Sequence, residues 1–170
     1  YQVFYKAKEV IAPSDLGLTL KKPALELRKF QILGVDSTIV DGTWKPVWGE
    51  VKEIRNNYKE LTLHLKESGV LMDVIFRVFD DGIGFRYFFP SQDNFNHFIV
   101  DNEWSSFTMT GDHNAFWIPG DYDTNEYTYQ RTKISEIDAL AAAAKEKDIA
   151  VTSLMGKNFV QTPLMLKSTD

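Results

Sequence analysis

Chemistry-bearing side chains concentrate in one loop of this chain, Asp121-Tyr122-Asp123-Thr124-Asn125-Glu126-Tyr127, entered through Trp117. Two carboxyl groups flanking a sugar bond can serve as acid and base. An aromatic face beside hydrogen-bonding acids can also hold a sugar ring. Trp117, Asp121, Asp123 and Glu126 are therefore candidates for the rim of a substrate cleft. The alternative is a structural loop whose aspartates satisfy the backbone of their own turn, which is the commoner fate of loop acids. A cation site is a third use. Asp121, Asp123 and Asn125 alternate as at the start of an EF-hand loop. The match then fails, because Glu126 stands where that loop needs glycine and Thr132 where it needs its last glutamate. No metal ligand and no catalytic residue is assigned within the chain.

Trp44, Trp48 and Glu50 form a second candidate. A surface tryptophan pair can stack on sugar, but burial between sheets is the ordinary fate of large aromatics and is the expectation here. His64, His97 and His113 are the only imidazoles and lack zinc-site spacing. His64 falls on the polar side of an alternating strand, so exposure is expected. His113 precedes Phe116-Trp117 and is expected to help order the loop there. Nucleophile-elbow, phosphate-loop and dinucleotide signatures are absent.

The elements that would position these residues read as β. Val3, Tyr5 and Ala7 alternate with polar neighbours, as do Leu16, Leu18 and Leu20, and Leu61, Leu63 and Leu65. Residues 32–40, 98–107, 115–118, 127–134 and 159–167 are further strand candidates. Residues 10–15 suggest a bend, and Asn56-Asn57-Tyr58 a turn. The firmest local pattern is a hairpin. Val70, Met72, Val74, Phe76 and Val78 share a face, Asp80-Asp81-Gly82 turns, and Ile83, Phe85, Tyr87 and Phe89 return until Pro90. A short helical excursion is expected near 137–147, with Ser135 as N-cap and Asp138 in the first turn. Its apolar residues form no strong stripe, which suggests a mobile segment. Many strands with little helix predict an all-β sandwich. The pattern alone allows a jelly roll or an immunoglobulin-like domain.

Bulk properties narrow the partners. The 170 residues suit one domain. A net charge of −5 argues against a nucleic-acid partner. Zero cysteines exclude disulfides and thiol catalysis. No apolar run is long enough to predict a membrane span. The chain has no initiator methionine and opens inside a strand pattern, so a piece of a longer protein is expected.

Three segments in order are more specific: Trp44-Lys45-Pro46-Val47-Trp48-Gly49-Glu50-Val51-Lys52-Glu53-Ile54-Arg55-Asn56-Asn57-Tyr58, then Phe76 to Tyr87, then Phe116 to Tyr127. They resemble the N-terminal region of glycoside hydrolase family 97, a family of α-glucosidases and α-galactosidases. The similarity runs from Pro13-Ser14-Asp15-Leu16-Gly17-Leu18 to Gln161-Thr162-Pro163-Leu164-Met165-Leu166-Lys167. It implies a β-supersandwich of the galactose-mutarotase-like type, incomplete over residues 1–170, followed in full-length members by a catalytic barrel and a small β domain. It implies calcium in the full-length parent and none in this chain. A glutamate ligand is expected in a segment just past the turn at Ser168-Thr169-Asp170. The implied role is a non-catalytic module of an exported, periplasmic enzyme acting on α-linked oligosaccharide, packed on its own catalytic barrel. A free-standing carbohydrate-binding sandwich and a purely structural or dimerisation module are the other readings.

Overall fold

The structure, a computed structural model, describes residues 1–93 and 95–168. In chain order its strands are β1 (Val3–Tyr5), β2 (Lys8–Ala12), β3 (Leu18–Lys22), β4 (Ala24–Leu27), β5 (Gln31–Trp44), β6 (Ile54–Glu67) and β7 (Val70–Val78). They continue as β8 (Ile83–Phe88), β9 (Ile99–Glu103), β10 (Thr108–Met109), β11 (Asn114–Trp117), β12 (Gln130–Lys133) and β13 (Met165–Lys167). One 3-10 turn (Ile134–Glu136) and one helix, α1 (Ala139–Ala143), accompany them. The architecture is the expected all-β, incomplete sandwich with one short helical excursion. It divides into two compact units.

The unit Asp15–Ser106 holds two antiparallel sheets, ordered β4-β3-β9 and β5-β6-β7-β8. The expected hairpin is β7 and β8, in register from Asp73 opposite Phe88 to Val78 opposite Ile83. Alternation decides which side is dry. Leu65, Met72, Val74 and Phe76 share one face of the larger sheet and are buried, as are Leu18, Leu20 and Leu27 of the smaller. The Tyr87 hydroxyl accepts from the Gly17 N–H at 2.9 Å and so ties the sheets together.

Two expectations change in this unit. Asn56-Asn57-Tyr58 is no turn. It lies within β6, where Asn57 faces Asp41 and Asn56 faces Gly42 of β5. The chain reverses earlier, at 45–53, because strand pairing persists to Trp44 opposite Ile54. The second concerns Trp44 and Trp48, which are 51% and 88% exposed rather than buried. They sit at the tip of a hairpin that runs on past β7, whose last pair with β6 is Val78 opposite Lys59.

The unit Tyr1–Ser14 with Phe107–Asp170 also holds two sheets, β1-β2-β10 and β12-β11-β13. Strand β2 continues to Ala12, so the bend expected over 10–15 is confined to its end. Residues 159–163 pair only through an isolated bridge of Val160 with Pro119, and regular pairing waits for Met165. The expected turn beyond Ser168 lies outside the described residues.

The helix is shorter than its alanine-rich sequence suggests, and its cap differs. Asp138 is the N-cap, accepting from the Ala141 N–H at 3.0 Å. Ser135 is unavailable, because its N–H and hydroxyl both donate to Asp112, at 2.9 and 2.7 Å. Ala139 and Ala142 pack with Ala115 and Trp117 in a core bordered by Ile134, Ile137, Val160 and Leu166. Small side chains let the helix approach the indole, so the segment is anchored rather than mobile.

Candidate functional site

Strand β11 delivers Trp117 into that core, where it is 2% exposed. Its indole Nε1 donates to Thr132 Oγ1 at 3.0 Å. Buried indoles are expected to find such a partner. The ring is therefore packed between β11 and α1 and presents no open face.

The chain then leaves regular pairing. Residues 118–122 run beside 153–161 through irregular bonds: Gly120 N–H to Phe159 O at 2.8 Å, Met155 N–H to Gly120 O at 2.9 Å, and Gln161 N–H to Ile118 O at 3.1 Å. Asp121 closes this crossing. Its Oδ1 accepts from the N–H of Asp123 at 2.8 Å and of Thr124 at 3.3 Å. Tyr127 donates its phenol to Oδ2 at 2.8 Å. The Ser153 N–H lies 3.0 Å from each oxygen. Gln161 Nε2 donates to the Asp121 carbonyl at 2.8 Å. Asp121 is 6% exposed.

Opposing effects set the charge of this group. Burial pushes the Asp121 carboxyl up, but the donors from Asp123, Ser153, Tyr127 and Thr124 hold it below the usual carboxylate range. It is an ionised, hydrogen-bonded anchor. Burial and the neighbouring Asp121 charge raise the Tyr127 phenol to about 12. Every donor here presents hydrogen to Asp121, so its oxygens are turned to N–H and O–H groups rather than toward a cation. Among the described residues no group of three or more His, Asp or Glu could hold a metal ion.

Asp123 and Glu126 differ from Asp121 in being exposed. The Ser153 hydroxyl donates to Asp123 Oδ2. Both acids line an open depression of about 340 Å³ with Thr124, Asn125, Ile149, Ala150 and Val151. Tyr122 is also exposed at the loop. The four sequence candidates thus separate into two that anchor, Trp117 and Asp121, and two that face outward, Asp123 and Glu126. Ser153 and Gln161 were missed. They lie 32 and 40 residues from Asp121, and no local pattern connects them.

A second polar group lies in the other unit. His64 of β6 stands between Asp73 of β7, at 2.8 Å from Nδ1, and Asp36 of β5, at 3.0 Å from Nε2. Hydrogen bonds to Asp36 and then Asp73 raise the imidazole above its ordinary value. His113 is buried, with Nε2 3.4 Å from Thr110 Oγ1.

Comparison with known proteins places the chain in a family. The family model for the glycosyl-hydrolase 97 N-terminal domain matches residues 1–170. The chain belongs to this family. A retaining alpha-galactosidase of Bacteroides thetaiotaomicron is 25% identical over 150 residues, covering 81% of this chain and 22% of that protein. A glycoside hydrolase family 97 enzyme from Pseudoalteromonas sp. strain K8 superimposes with TM-score 0.81 at 26% identity, over 99% of this chain and 23% of that one. Another structure of an enzyme from that source, in complex with panose, gives TM-score 0.71 at 30% identity, over 78% of this chain and 21% of that one. This family 97 N-terminal domain thus spans under a quarter of the length of the relatives it matches. The glycoside hydrolase resemblance read from its three sequence segments is met by the match across all of it.

Proposed function

We propose that this chain is the non-catalytic N-terminal β-sandwich module of an exported, periplasmic α-glycoside hydrolase. In this reading the module packs on a catalytic barrel and lends the 121–126 loop to the rim of the substrate cleft. The observation that carries it is the family match over the whole chain, joined to the small share of each matched enzyme that the chain covers. The α-linked substrate is supported by the alpha-galactosidase relative and the panose complex. Calcium belongs to the full-length parent in this reading, with ligands outside this chain.

The loop's construction supports the rim role. Trp117 and Asp121 are buried and hydrogen-bonded beneath it, while Tyr122, Glu126 and Asp123, the last accepting from the Ser153 hydroxyl, are exposed where a hydroxyl-rich ligand can reach them. The test is Glu126→Ala and Asp123→Asn in the full-length enzyme. A reduced kcat/KM with an unchanged melting temperature supports the rim. Unchanged kinetics on every α-linked oligosaccharide tried defeats it.

One observation favours a second reading, a free-standing carbohydrate-binding sandwich: Trp48 and Trp44 are exposed. Iodide quenching of their fluorescence that maltooligosaccharide relieves would support it. Quenching indifferent to sugar would remove it.

A further inference from the structure

The hairpin of β5 and β6 ends in an apolar tip. Val47 is 100% exposed, Trp48 88%, Val51 55%, Trp44 51% and Ile54 37%. These residues fall within one short reversal, and the loop between the strands is braced. Lys45 Nζ meets Glu53 Oε1 at 3.3 Å across its base, and paired strands hold Trp44 opposite Ile54. Contiguous apolar surface at a fixed place usually marks an interaction site.

Apolar exposure continues down the same arm. Val35 and Ile39 of β5, Leu61 of β6 and Val78 of β7 share the sheet face that is buried at Leu65, Met72, Val74 and Phe76. Toward β5 this face is open, and a depression of about 600 Å³ forms among Ser37, Thr38, Ile39, Lys59, Glu60, Leu61 and Val78. A face that is core at one end and open at the other has lost, or awaits, a covering layer.

We propose that the Trp44–Ile54 tip of the β5–β6 arm is the surface on which the catalytic portion of the enzyme docks, while the open face further down the arm is left to the rest of the incomplete sandwich. This rests on the proposed function. The length of chain outside the module supports the occupant: the module matches a solved family 97 enzyme over 99% of its own length but spans 23% of that enzyme, so most of that enzyme is available to cover the tip. The chemistry of the tip supports a protein partner over a sugar. A sugar platform needs polar groups ringed around the aromatic face to meet hydroxyls. Here Val47, Val51 and Ile54 are exposed in the same reversal as the two indoles, and Lys45 and Glu53 are paired with each other, which leaves Glu50 and Lys52 as its remaining charged groups. Tryptophan among aliphatic residues is the composition of an interface anchor.

The test uses the full-length enzyme that carries this module. Hydrogen exchange of amides 45–53 is followed alone, at two protein concentrations, and with maltotriose, and the V47S/W48S variant is melted. Both side chains are exposed in the module, so the variant leaves the module's own fold intact. The expected result is exchange about tenfold or more below peptide rates without sugar, together with a lower melting temperature of the variant enzyme. Peptide-like exchange at the tip, with an unchanged variant, overturns the docking surface. Protection that appears only with maltotriose overturns it in favour of a sugar site, and protection that grows with concentration in favour of a second copy. An enzyme that is active while its tip exchanges freely sinks the docking surface alone. A full-length protein without glycosidase activity, whatever the tip does, sinks the proposed function.

Discussion

Tyr127 donates its phenol to Asp121 Oδ2 over 2.8 Å, and both residues are buried. The pair joins the two ends of the acidic loop. It also sets the loop against Ser153, whose N–H completes the carboxylate's partners. The most acid-looking residue of the candidate site is therefore the one least free to do acid–base chemistry.

Removing the phenol oxygen leaves a buried carboxylate one donor short. Tyr127→Phe is expected to cost about 1–2 kcal/mol, toward the low end for a bond to a charged group because the backbone donors remain. Urea unfolding of the variant measures it. A denaturation midpoint equal to that of the parent would mean that the bond contributes nothing.

Acid should loosen the same loop. The folded carboxyl of Asp121 is held below its ordinary value, so its contribution is present above the unfolded value and is lost as pH falls through the folded one. Asp121→Asn should remove that part of the acid dependence. Melting curves between neutral and strongly acidic pH check this, and parallel curves for parent and variant would contradict it.

The core beneath the loop predicts a larger loss. Trp117 fills space between Ala115, Ala139 and Ala142. Trp117→Ala is expected to cost about 3–5 kcal/mol, the usual range for truncating a buried large aromatic. Chemical denaturation reads it directly. A loss near that of a surface substitution would show that the indole is not part of a packed core.

Gly17 carries a backbone requirement. Its φ is +152°, and a Cβ there would lie 2.6 Å from the Leu27 carbonyl oxygen. Gly17→Ala should destabilise by about 1–3 kcal/mol through strain alone, and shifting the segment would also disturb the bond to Tyr87. Thermal melting decides. An unchanged melting temperature would mean that β3 and β4 part without cost.

His64 should titrate above the ordinary histidine value, because Asp36 and Asp73 flank the ring. A raised value means that its contribution to stability is full below the unfolded value and is lost as pH rises through the folded one. NMR titration of the ring protons measures it, and Asp36→Asn or Asp73→Asn should each lower it. A value at or below the ordinary one would contradict the bridge.

Much of the fold was legible because alternation is a local signal. The β7–β8 hairpin follows from Val70 to Val78, the Asp-Asp-Gly turn and Pro90 alone. What was hidden depends on contacts distant in sequence. Ser153 reaches Asp121 through a crossing that no periodicity announces, and Asp112 takes Ser135 away from the helix cap. Trp44 and Trp48 misled for another reason. Burial preference is an average over tryptophans, and this hairpin runs on past the last β6–β7 pair, Lys59 with Val78. At the site, residue type singled out the loop but not the separate parts its acids play. Only the hydrogen-bond geometry separates Asp121, which is saturated, from Asp123 and Glu126, which face outward.

The most direct test of the account is hydrolysis of aryl α-glucoside and aryl α-galactoside by this purified chain, with calcium and with chelator, beside the full-length enzyme. The account predicts turnover by the full-length enzyme and none by the chain in either condition. Calcium-dependent turnover by the chain that survives repurification, and that Asp123→Asn or Glu126→Ala abolishes, would contradict it and make the acidic loop an active site.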